Sequence, residues 1–544
     1  MKPKFQSLPG RAALFGLVVV SGALATCAAP PRRPNILFFI SDDWGRNASC
    51  YRDPDRAGVN DVIDTPNIDR LAREGVLFRN AFYNVSSCTP SRAGMATGCY
   101  FWRLGHHALH RMQPEIKDSP DPGWSLPGFG PSLADDGYLL GTWGKTLNRH
   151  WFPAEAFPFD EEKVRYSHWV PTQPDRAVAQ KTIEGLVRAG VRDMLAKKKK
   201  GQPFCHAIGP VGTHRPFTKG SGKSLWNIDP DQLRGKLPAF LPDIPETRES
   251  MSDTLGEVLA DDLYLGWIVD ELKTAGELDN TLLVLTGDNG IGMPRGKTQV
   301  YDLGMRAPLI VHWPAGIKHP GRIVDDFVSV IDLAPTFLDL AGLKIPQTMN
   351  GRSLLPLLQS DKAGLIDPSR DFTVTGRERH DLNVRDALPY PVRALRTSDF
   401  LYVHNFKPDR WPHGDPAEPG FPSDPPERDD PSGAWVLVHR DDPQGKELFR
   451  LYYAKRPEEE LYDLRNDPDE VKNVAAEPNY SDVKEKLSSR LMEILRTTKD
   501  PRLTDEFDRW PYYQPPAHRS AANQHVENDD PYCIAHVNGT VSND

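Results

Sequence analysis

The sequence PNILFFISDD, residues 34–43, decides how the rest of the chain is interpreted. Its apolar run at 35–40 is short and uninterrupted, which is typical of a strand buried on both faces of a sheet. Two carboxylates, Asp42 and Asp43, follow directly where such a strand would end. In open α/β sheets, ligands bind beyond the carboxyl ends of the strands. The stretch therefore predicts both a buried strand and a site at its end.

Short apolar runs alternate with helical stretches along the first two thirds of the chain. Further strands are predicted at 138–142, 204–208, 281–286 and 308–313, and helices at 65–74, up to 136 and at 251–275. This alternation predicts an α/β fold, a mostly parallel sheet with helices on both faces. The loops at 41–43, 144–145 and 287–290 each follow a strand and are candidates for one shared site.

A second, smaller region begins near residue 363. Strands are predicted at 372–375, 394–397, 400–404 and 460–464, and a closing helix at 480–497 with apolar residues at helical spacing. The segment 407–431 is rich in Pro, Asp and Arg and is interpreted as a loop. We predict a catalytic domain at 34–362, a C-terminal α+β subdomain with an antiparallel sheet at 363–500, and a tail at 501–544.

The N-terminus has the pattern of an export signal. Basic residues precede an apolar stretch at 12–25 that is too short to span a bilayer as a mature helix. We predict a signal peptide at 1–29 and an exported protein, periplasmic or secreted, without a transmembrane segment. Residues 24–27 resemble a bacterial lipoprotein cleavage site, but Thr26 is unusual before the cysteine, so lipidation of Cys27 is the alternative.

Composition limits the class of partner. The chain has 544 residues, 39% of them hydrophobic and 26% charged, and a formal net charge of −9. These values are typical of a soluble globular protein and argue against a nucleic-acid partner, which would need a basic face. The six cysteines match no zinc pattern and are too few for a disulfide scaffold, and their pairing stays open.

Two oxygen-rich pairs are candidates for a metal site. Asp42-Asp43 follows one predicted strand and Asp288-Asn289 follows another. Carboxylate and amide oxygens favour calcium or magnesium over zinc. The ordinary alternative for such pairs is a helix cap or a solvated turn.

A third cluster, SSCTPSRAGMATG at 86–98, contains a cysteine that is interpreted in two ways. Cys88 is either an ordinary buried or bonded cysteine at a turn, or a reactive group. A cysteine at a helix N-terminus with Arg92 one turn on is well placed for anionic chemistry.

At this cluster the chain resembles the type I sulfatase family. The sequence from Cys88 to Arg92, Cys-Thr-Pro-Ser-Arg, matches the signal at which these enzymes convert cysteine to formylglycine. Other family motifs occur in family order at 34–43, 65–72, 144–145, 212–217, 286–290, 351–356 and 460–463. The resemblance implies an alkaline-phosphatase-like fold, a calcium ion, a formylglycine derived from Cys88 and a partner enzyme that makes it.

The resemblance also implies residue roles. Calcium would be held by Asp42, Asp43, Cys88, Asp288 and Asn289. The hydrated aldehyde at position 88 would attack sulfur, and a second hydroxyl would allow sulfate to leave. Arg92 would hold the diol, Lys145 and Lys297 would bridge sulfate and leaving oxygens, and His214 would protonate the leaving group or contact sulfate.

The motifs are most similar to those of the heparan N-sulfatase (sulfamidase) branch, as shown by 86–88, 288–297 and 390–393. The resemblance implies a sulfated carbohydrate substrate and places its contacts in the loop at 376–381, where Arg377, Glu378 and His380 are the candidates. One position departs from the family pattern. Leu147 stands where most relatives carry a histidine, and either Asn148 or His150 substitutes or the role is absent.

Two other functions stay open at this point. A phosphoesterase or phosphonate monoester hydrolase of the same superfamily would share the fold, although such enzymes often use Ser or Thr and two metals. A non-catalytic glycan-binding protein would be supported by Leu147 and opposed by the remaining polar set. The sequence leaves open which sugar is bound, whether an O-sulfate or an N-sulfate is cut, and the oligomeric state.

Overall fold

The computed structural model of the chain describes residues 33–110, 122–157, 160–380, 389–417 and 430–504, together with Met1 and Lys4. The strands are β1 Asn35–Ser41, β2 Val76–Phe78, β3 Ala81–Phe82, β4 Leu139–Gly144, β5 Glu155–Ala156, β6 Phe204–Gly209, β7 Thr281–Gly287, β8 Arg306–Ala307, β9 Leu309–His312, β10 Arg322–Val324, β11 Val328–Ser329, β12 Phe372–Arg377, β13 Val392–Thr397, β14 Phe400–Asn405 and β15 Glu459–Asp463.

The helices surround these strands. They are α1 Pro66–Glu74, α2 Cys88–Thr97, α3 Phe129–Asp135, α4 Glu161–Val164, α5 Tyr166–Trp169, α6 Arg176–Lys197, α7 Ser221–Trp226, α8 Pro245–Thr274, α9 Asp302–Met305, α10 Leu333–Leu340, α11 Leu355–Gln359, α12 Pro431–Val438, α13 Pro443–Tyr452 and α14 Ser481–Thr497. Short 3-10 turns connect several of them.

Among the described residues, eight strands form the main sheet in the order β10-β2-β9-β7-β1-β6-β4-β5. All neighbours pair in parallel except β9, which runs antiparallel to both β2 and β7. The sheet is therefore mostly parallel, as the alternation of apolar runs and helices predicts. Strands β7, β1, β6 and β4 lie side by side, so the loops after them meet at one end of the sheet.

The first strand shows why the sheet needs helices on both faces. Every residue of β1 is buried. Ile36, Phe38 and Ile40 belong to one hydrophobic cluster, which includes side chains of α2, α3 and α10. Leu37 and Phe39 belong to a second cluster, which includes side chains of α6 and α8. Successive side chains of a strand point to opposite faces, so an uninterrupted apolar run must be covered on both sides.

The second region has a sheet of its own. Strands β12, β13, β14 and β15 pair antiparallel in that order, and α14 packs on β13 and β14. A backbone hydrogen bond of 3.2 Å from Gly376 to the carbonyl oxygen of Asn84 joins the end of β12 to the segment that precedes α2. This contact brings the loop after β12 beside Cys88.

The described residues from Arg33 onward form one compact unit. The domain boundaries at 362 and 500 stay predictions. The first residues of the predicted tail, Pro501–Thr504, form a 3-10 turn, and Arg502 is buried. Within the described ranges, no helix is long and apolar enough to cross a membrane. The predicted signal peptide beyond its few described positions, Cys27, Cys533, the middle of the loop at 407–431 and the tail after 504 lie outside the described residues.

Candidate active site

The loops that follow four neighbouring strands supply the polar residues of the site. Asp42 and Asp43 follow β1, and Asp288 and Asn289 follow β7. Lys145 follows β4, and β6 leads into the loop that carries His214. The carboxyl ends of adjacent parallel strands share one edge of the sheet, which brings these residues together.

Four of the predicted ligands converge. Asp42, Asp43, Cys88 and Asp288 each offer one ligand atom, and these atoms lie within 4.8 Å of one another. The fifth predicted ligand, Asn289, is fully buried and donates through Nδ2 to Asp43 Oδ1 at 2.7 Å. Its side-chain oxygen has no hydrogen-bond partner. A buried amide oxygen without a partner is costly unless a cation completes it.

Cations compensate the buried carboxylates. Lys145 Nζ lies 3.0 and 2.9 Å from the two oxygens of Asp42. Lys297 Nζ lies 2.7 and 2.9 Å from those of Asp43. Burial alone would raise the pKa of Asp42, but the charges of Lys145 and Arg92, with that of His214 whenever its ring is protonated, outweigh it and hold this pKa well below its usual value.

The backbone at Asp43 is held in an unusual conformation. Its φ is +55°, a value that non-glycine residues rarely adopt. Its N–H donates to Asp288 Oδ1 at 3.0 Å, which stabilises the turn and joins the two strand ends. Strained positions of this kind concentrate at functional sites.

Cys88 is the first residue of α2, with Ser87 as the N-cap. Its Sγ lies 3.7 Å from Asp42 Oδ1 and 3.8 Å from Asp43 Oδ1. Burial raises the pKa of the thiol far above its usual range, although Lys145 opposes the shift. An unmodified thiol here stays protonated, and a thiol is a poor nucleophile in that form.

Arg92 lies one turn further along α2 and connects three parts of the site. Its Nε donates to Asp288 Oδ2 at 2.8 Å and its Nη2 to Asp42 Oδ1 at 3.1 Å. Its Nη1 donates to the carbonyl oxygens of Lys145 and Thr146 at 2.5 and 2.9 Å. This buried guanidinium fixes α2 relative to the strand ends.

A family model described as Sulfatase matches residues 34–343, more than half of the chain. The chain belongs to the sulfatase family. Human N-sulphoglucosamine sulphohydrolase is 31% identical over 88% of this chain and 92% of its own length. The predicted family and the predicted fold class are both confirmed.

Two solved structures show the same fold at lower identity. One is a protein in complex with its substrate D-glucosamine-2-N,6-O-disulfate, with a TM-score of 0.58, 19% identity, and coverage of 86% of this chain and 98% of that chain. The other is the phosphonate monoester hydrolase of Agrobacterium radiobacter, with a TM-score of 0.57, 18% identity, and coverage of 86% and 96%. At these identities the likeness concerns the fold alone.

His214 of this sulfatase lies at the same cluster. Its Nδ1 donates to the carbonyl oxygen of Arg215 at 2.6 Å, and its Nε2 lies 3.7 Å from Asp43 Oδ2. Burial lowers the pKa of His214 to about 4, although the carboxylate of Asp43 opposes the shift. The ring is therefore neutral near pH 7, with Nδ1 as the donor and Nε2 as the acceptor.

Leu147 belongs to the hydrophobic core. His150, one of the two residues considered as its substitute, has Nε2 3.0 Å from the carbonyl oxygen of Trp124. Asn148, the other, accepts a hydrogen bond from the backbone N–H of His150 at 2.9 Å. Both side chains form these hydrogen bonds within the loop that follows Leu147. The structure therefore does not favour either as a substitute for the missing histidine.

The candidate residues of the predicted substrate loop differ in their hydrogen-bond partners. Arg377 is buried and donates to the carbonyl oxygens of Thr298, at 2.7 Å, and Pro412. Glu378 is fully buried, and each of its carboxylate oxygens is within hydrogen-bond distance of an arginine. His380 differs from both, since its Nδ1 lies 2.8 Å from Ser87 Oγ, next to the predicted nucleophile.

Three further residues near the site are not among the predicted site residues. Thr213 lies 2.9 Å from Ser41 Oγ and donates to the carbonyl oxygen of Asp42. Asp261, on the long helix α8, accepts from Ser41. His110 stacks on His380. Thr213 lies within the motif at 212–217, whereas Asp261 and His110 come from segments outside the family motifs.

Proposed function

We propose that this sulfatase releases sulfate from a sulfated carbohydrate, with calcium and a formylglycine made from Cys88. The observation that supports this most is the position of Cys88, buried at a helix N-terminus among Asp42, Asp43 and Asp288. The 31% identical human relative is named for hydrolysis of sulfate from N-sulphoglucosamine. Whether this chain cuts an O-sulfate or an N-sulfate stays open.

The charges of the site support an anionic substrate. The three carboxylates of the site form ion pairs with three cations. The carboxylates are Asp42, Asp43 and Asp288, and the cations are Arg92, Lys145 and Lys297. A bound divalent cation would leave the site with two formal positive charges in excess. Such a buried excess attracts a sulfate ester, and it stabilises the additional charge that develops as sulfate leaves.

The donor set fits calcium. Carboxylate oxygens and one amide oxygen are the ligands that hard divalent cations prefer. Asp42, Asp43, Asp288 and Asn289 would hold the ion, and the unpartnered oxygen of Asn289 is the atom that would gain most from it. When bound, the ion supplies a positive charge that polarises the bond between sulfur and oxygen.

Position 88 is suited to a modified residue. A formylglycine there supplies, in hydrated form, one hydroxyl that attacks sulfur and a second that permits sulfate to be expelled. Around it, Arg92 orients the reacting group, and Lys145 and Lys297 bind sulfate oxygens. Neutral His214 offers Nε2 as a hydrogen-bond acceptor beside Asp43. Formation of formylglycine requires a maturing enzyme as a partner.

The substrate loop contributes through His380. We assign direct contact with the sugar to His380, because its ring lies beside Ser87, next to position 88. Arg377 and Glu378 hold the loop, because their side chains are bonded to Thr298, Pro412 and two arginines instead. The N-terminal segment and the carbohydrate substrate together support export to the periplasm or the exterior.

A phosphonate monoester hydrolase is the second candidate, because the enzyme of Agrobacterium radiobacter has the same fold. The sulfatase family match and the identity to a sulphohydrolase favour sulfate. A non-catalytic glycan-binding protein is disfavoured, because such a protein would have no use for three cations, two of them buried, on three buried carboxylates.

The test is sulfate release from a panel of N-sulfated glucosamine, O-sulfated hexosamines, sulfated algal sugars, aryl sulfates and phosphonate monoesters. We expect release from at least one sugar sulfate, and none by Cys88→Ala, which should keep the fold. Activity confined to aryl sulfates or to phosphonates would contradict the carbohydrate assignment, and full activity of Cys88→Ala would contradict the mechanism.

A further inference from the structure

Two histidine rings lie against the residues that flank the predicted nucleophile. His380 Nδ1 lies 2.8 Å from Ser87 Oγ, and His110 Nδ1 lies 3.4 Å from Thr89 Oγ1. The rings stack, with centroids 4.4 Å apart and planes 7° from parallel. The backbone N–H of His110 donates to the carbonyl oxygen of Arg379 at 3.3 Å. We call His110 and His380 the histidine pair; these contacts fix it on both sides of position 88.

The reaction needs a proton donor on the sugar side. A sugar oxygen or nitrogen leaves poorly unless it gains a proton as its bond to sulfur breaks. Leu147 cannot provide one, because its side chain is an alkyl group in the core. His214 has Nδ1 bonded to the carbonyl oxygen of Arg215, and its Nε2 faces Asp43 on the side of the predicted metal ligands. The known elements of the site therefore leave this role without an evident residue.

Two further candidates are less suitable than the pair. His150 Nε2 lies against the carbonyl oxygen of Trp124, and the ring is on the exposed side of its loop. Lys145 and Lys297 are each bonded to both oxygens of a carboxylate. An ammonium stabilised in this way gives up its proton reluctantly, because its partner carboxylates favour the charged form.

Resting on the carbohydrate sulfatase function, we propose that the histidine pair protonates the leaving atom of the sugar. As the bond between sulfur and that atom breaks, its electron pair stays on the sugar atom and one imidazole of the pair delivers a proton there. The neutral ring then takes a proton from water before the next turnover. Stacking disfavours a charge on both rings at once, so at most one ring of the pair is an imidazolium, and this ring delivers the proton.

The test compares two leaving groups. A phenolate such as that of p-nitrophenyl sulfate leaves without a proton, whereas a sugar does not. For His110→Gln and His380→Gln, with Cys88 fully converted, we expect kcat/KM on the sugar sulfate to fall by about 10²-fold or more in at least one variant. The value for p-nitrophenyl sulfate should change by less than about threefold, because the general acid contributes little to a leaving group of that kind.

A matched control is His439→Gln. This histidine also stacks on an aromatic ring, Trp435, but at the C-terminal end of the helix Pro431–Val438 in the second region. Its replacement should leave kcat/KM unchanged on both substrates. Equal losses on both substrates in the pair variants, or no loss on the sugar sulfate, would overturn the proposal. The selective loss appearing in His150→Gln instead would overturn it too.

A second readout separates proton donation from the contact with the sugar that is assigned to His380 above. The dissociation constant of the sugar sulfate is measured with Cys88→Ala, alone and combined with each histidine variant. Loss of a proton donor should lower kcat far more than it weakens binding, whereas loss of a contact that only binds the sugar should weaken binding by as much as kcat/KM falls. If the natural sequence with Cys88 fully converted releases sulfate from no sugar, the proposed function itself is contradicted.

Discussion

Asp288 is the residue on which calcium binding depends most directly. It bonds Arg92 and the backbone of Asp43, and it belongs to the cluster of ligand atoms. Asp288→Asn keeps the shape and removes one charge, so we expect the rise in melting temperature produced by calcium to be lost or to need at least about tenfold more calcium. Asp270→Asn, at an exposed partner of Arg188, is the control and should respond as the natural sequence does.

Calcium binding can also be tested by elemental analysis of the purified protein. The natural sequence should contain close to one calcium per chain. A calcium response unchanged by Asp288→Asn would contradict the metal assignment. Two zinc ions per chain would contradict it too and would support a phosphoesterase.

At the scale of single residues, the position of a side chain can be predicted from the sequence best where it follows a strand directly. Asp42 and Asp288 are examples, because the end of a parallel strand determines where the next residue lies. The sequence could not place Glu378, whose two arginine partners lie 15 and 124 residues away. It also gave no reason to select His110, because its partner His380 comes from a distant strand end.

At the scale of elements, the long helix α8 carries a buried carboxyl group that predicts a pH effect. Burial raises the pKa of Glu257 to about 8. The folded state therefore keeps this proton at pH values where the unfolded state has released it, so stability falls as pH rises from about 4 towards 8. Glu257→Gln removes the effect.

The measurement is the unfolding free energy of both chains at pH 5 and pH 9. We expect the unfolding free energy of the variant, relative to that of the natural sequence, to increase by on the order of 3 kcal/mol between pH 5 and pH 9. Glu246→Gln, exposed at the start of the same helix, should show no such trend. A difference for Glu257→Gln that is constant or shrinks with pH would contradict the buried, protonated state.

Strands were easier to predict than helix bounds. The predicted run at 281–286 corresponds to Thr281–Gly287, whereas the helix predicted at 251–275 begins earlier, at Pro245. The helix Arg176–Lys197 has no clear apolar stripe in the sequence, because its Ala, Gly and charged residues dilute the pattern. Its burial against α8 comes from tertiary packing, which periodicity alone does not specify.

At the scale of the whole molecule, a buried ionic network ties the C-terminal end of the described chain to the active-site loop. Arg393 Nη2 lies 2.6 Å from Glu378 and its Nε 2.6 Å from Asp500, and all three side chains are fully buried. Arg502 binds the other oxygen of Glu378. Glu378 is two residues before His380, so this network positions the sugar side of the site.

Arg393→Ala should therefore destabilise the molecule strongly. It leaves Asp500 and Glu378 with an uncompensated buried charge, and we expect a loss of about 3–5 kcal/mol in denaturant unfolding. The control is Arg234→Ala, which removes an exposed pair with Asp231 and should cost less than about 1 kcal/mol. Similar losses for the two variants would show that the network does not stabilise the fold as we infer.

The central claim is that a formylglycine at position 88 carries out sulfate release from a sugar. The most direct measurement plots the rate of sulfate release per chain against the fraction of peptide 80–92 in which Cys88 has become formylglycine. Preparations made with different amounts of maturing enzyme supply the range of fractions. We predict a straight line through the origin. Sulfate release by chains whose Cys88 is entirely unconverted, or none from any sugar sulfate by fully converted chains, would contradict the claim.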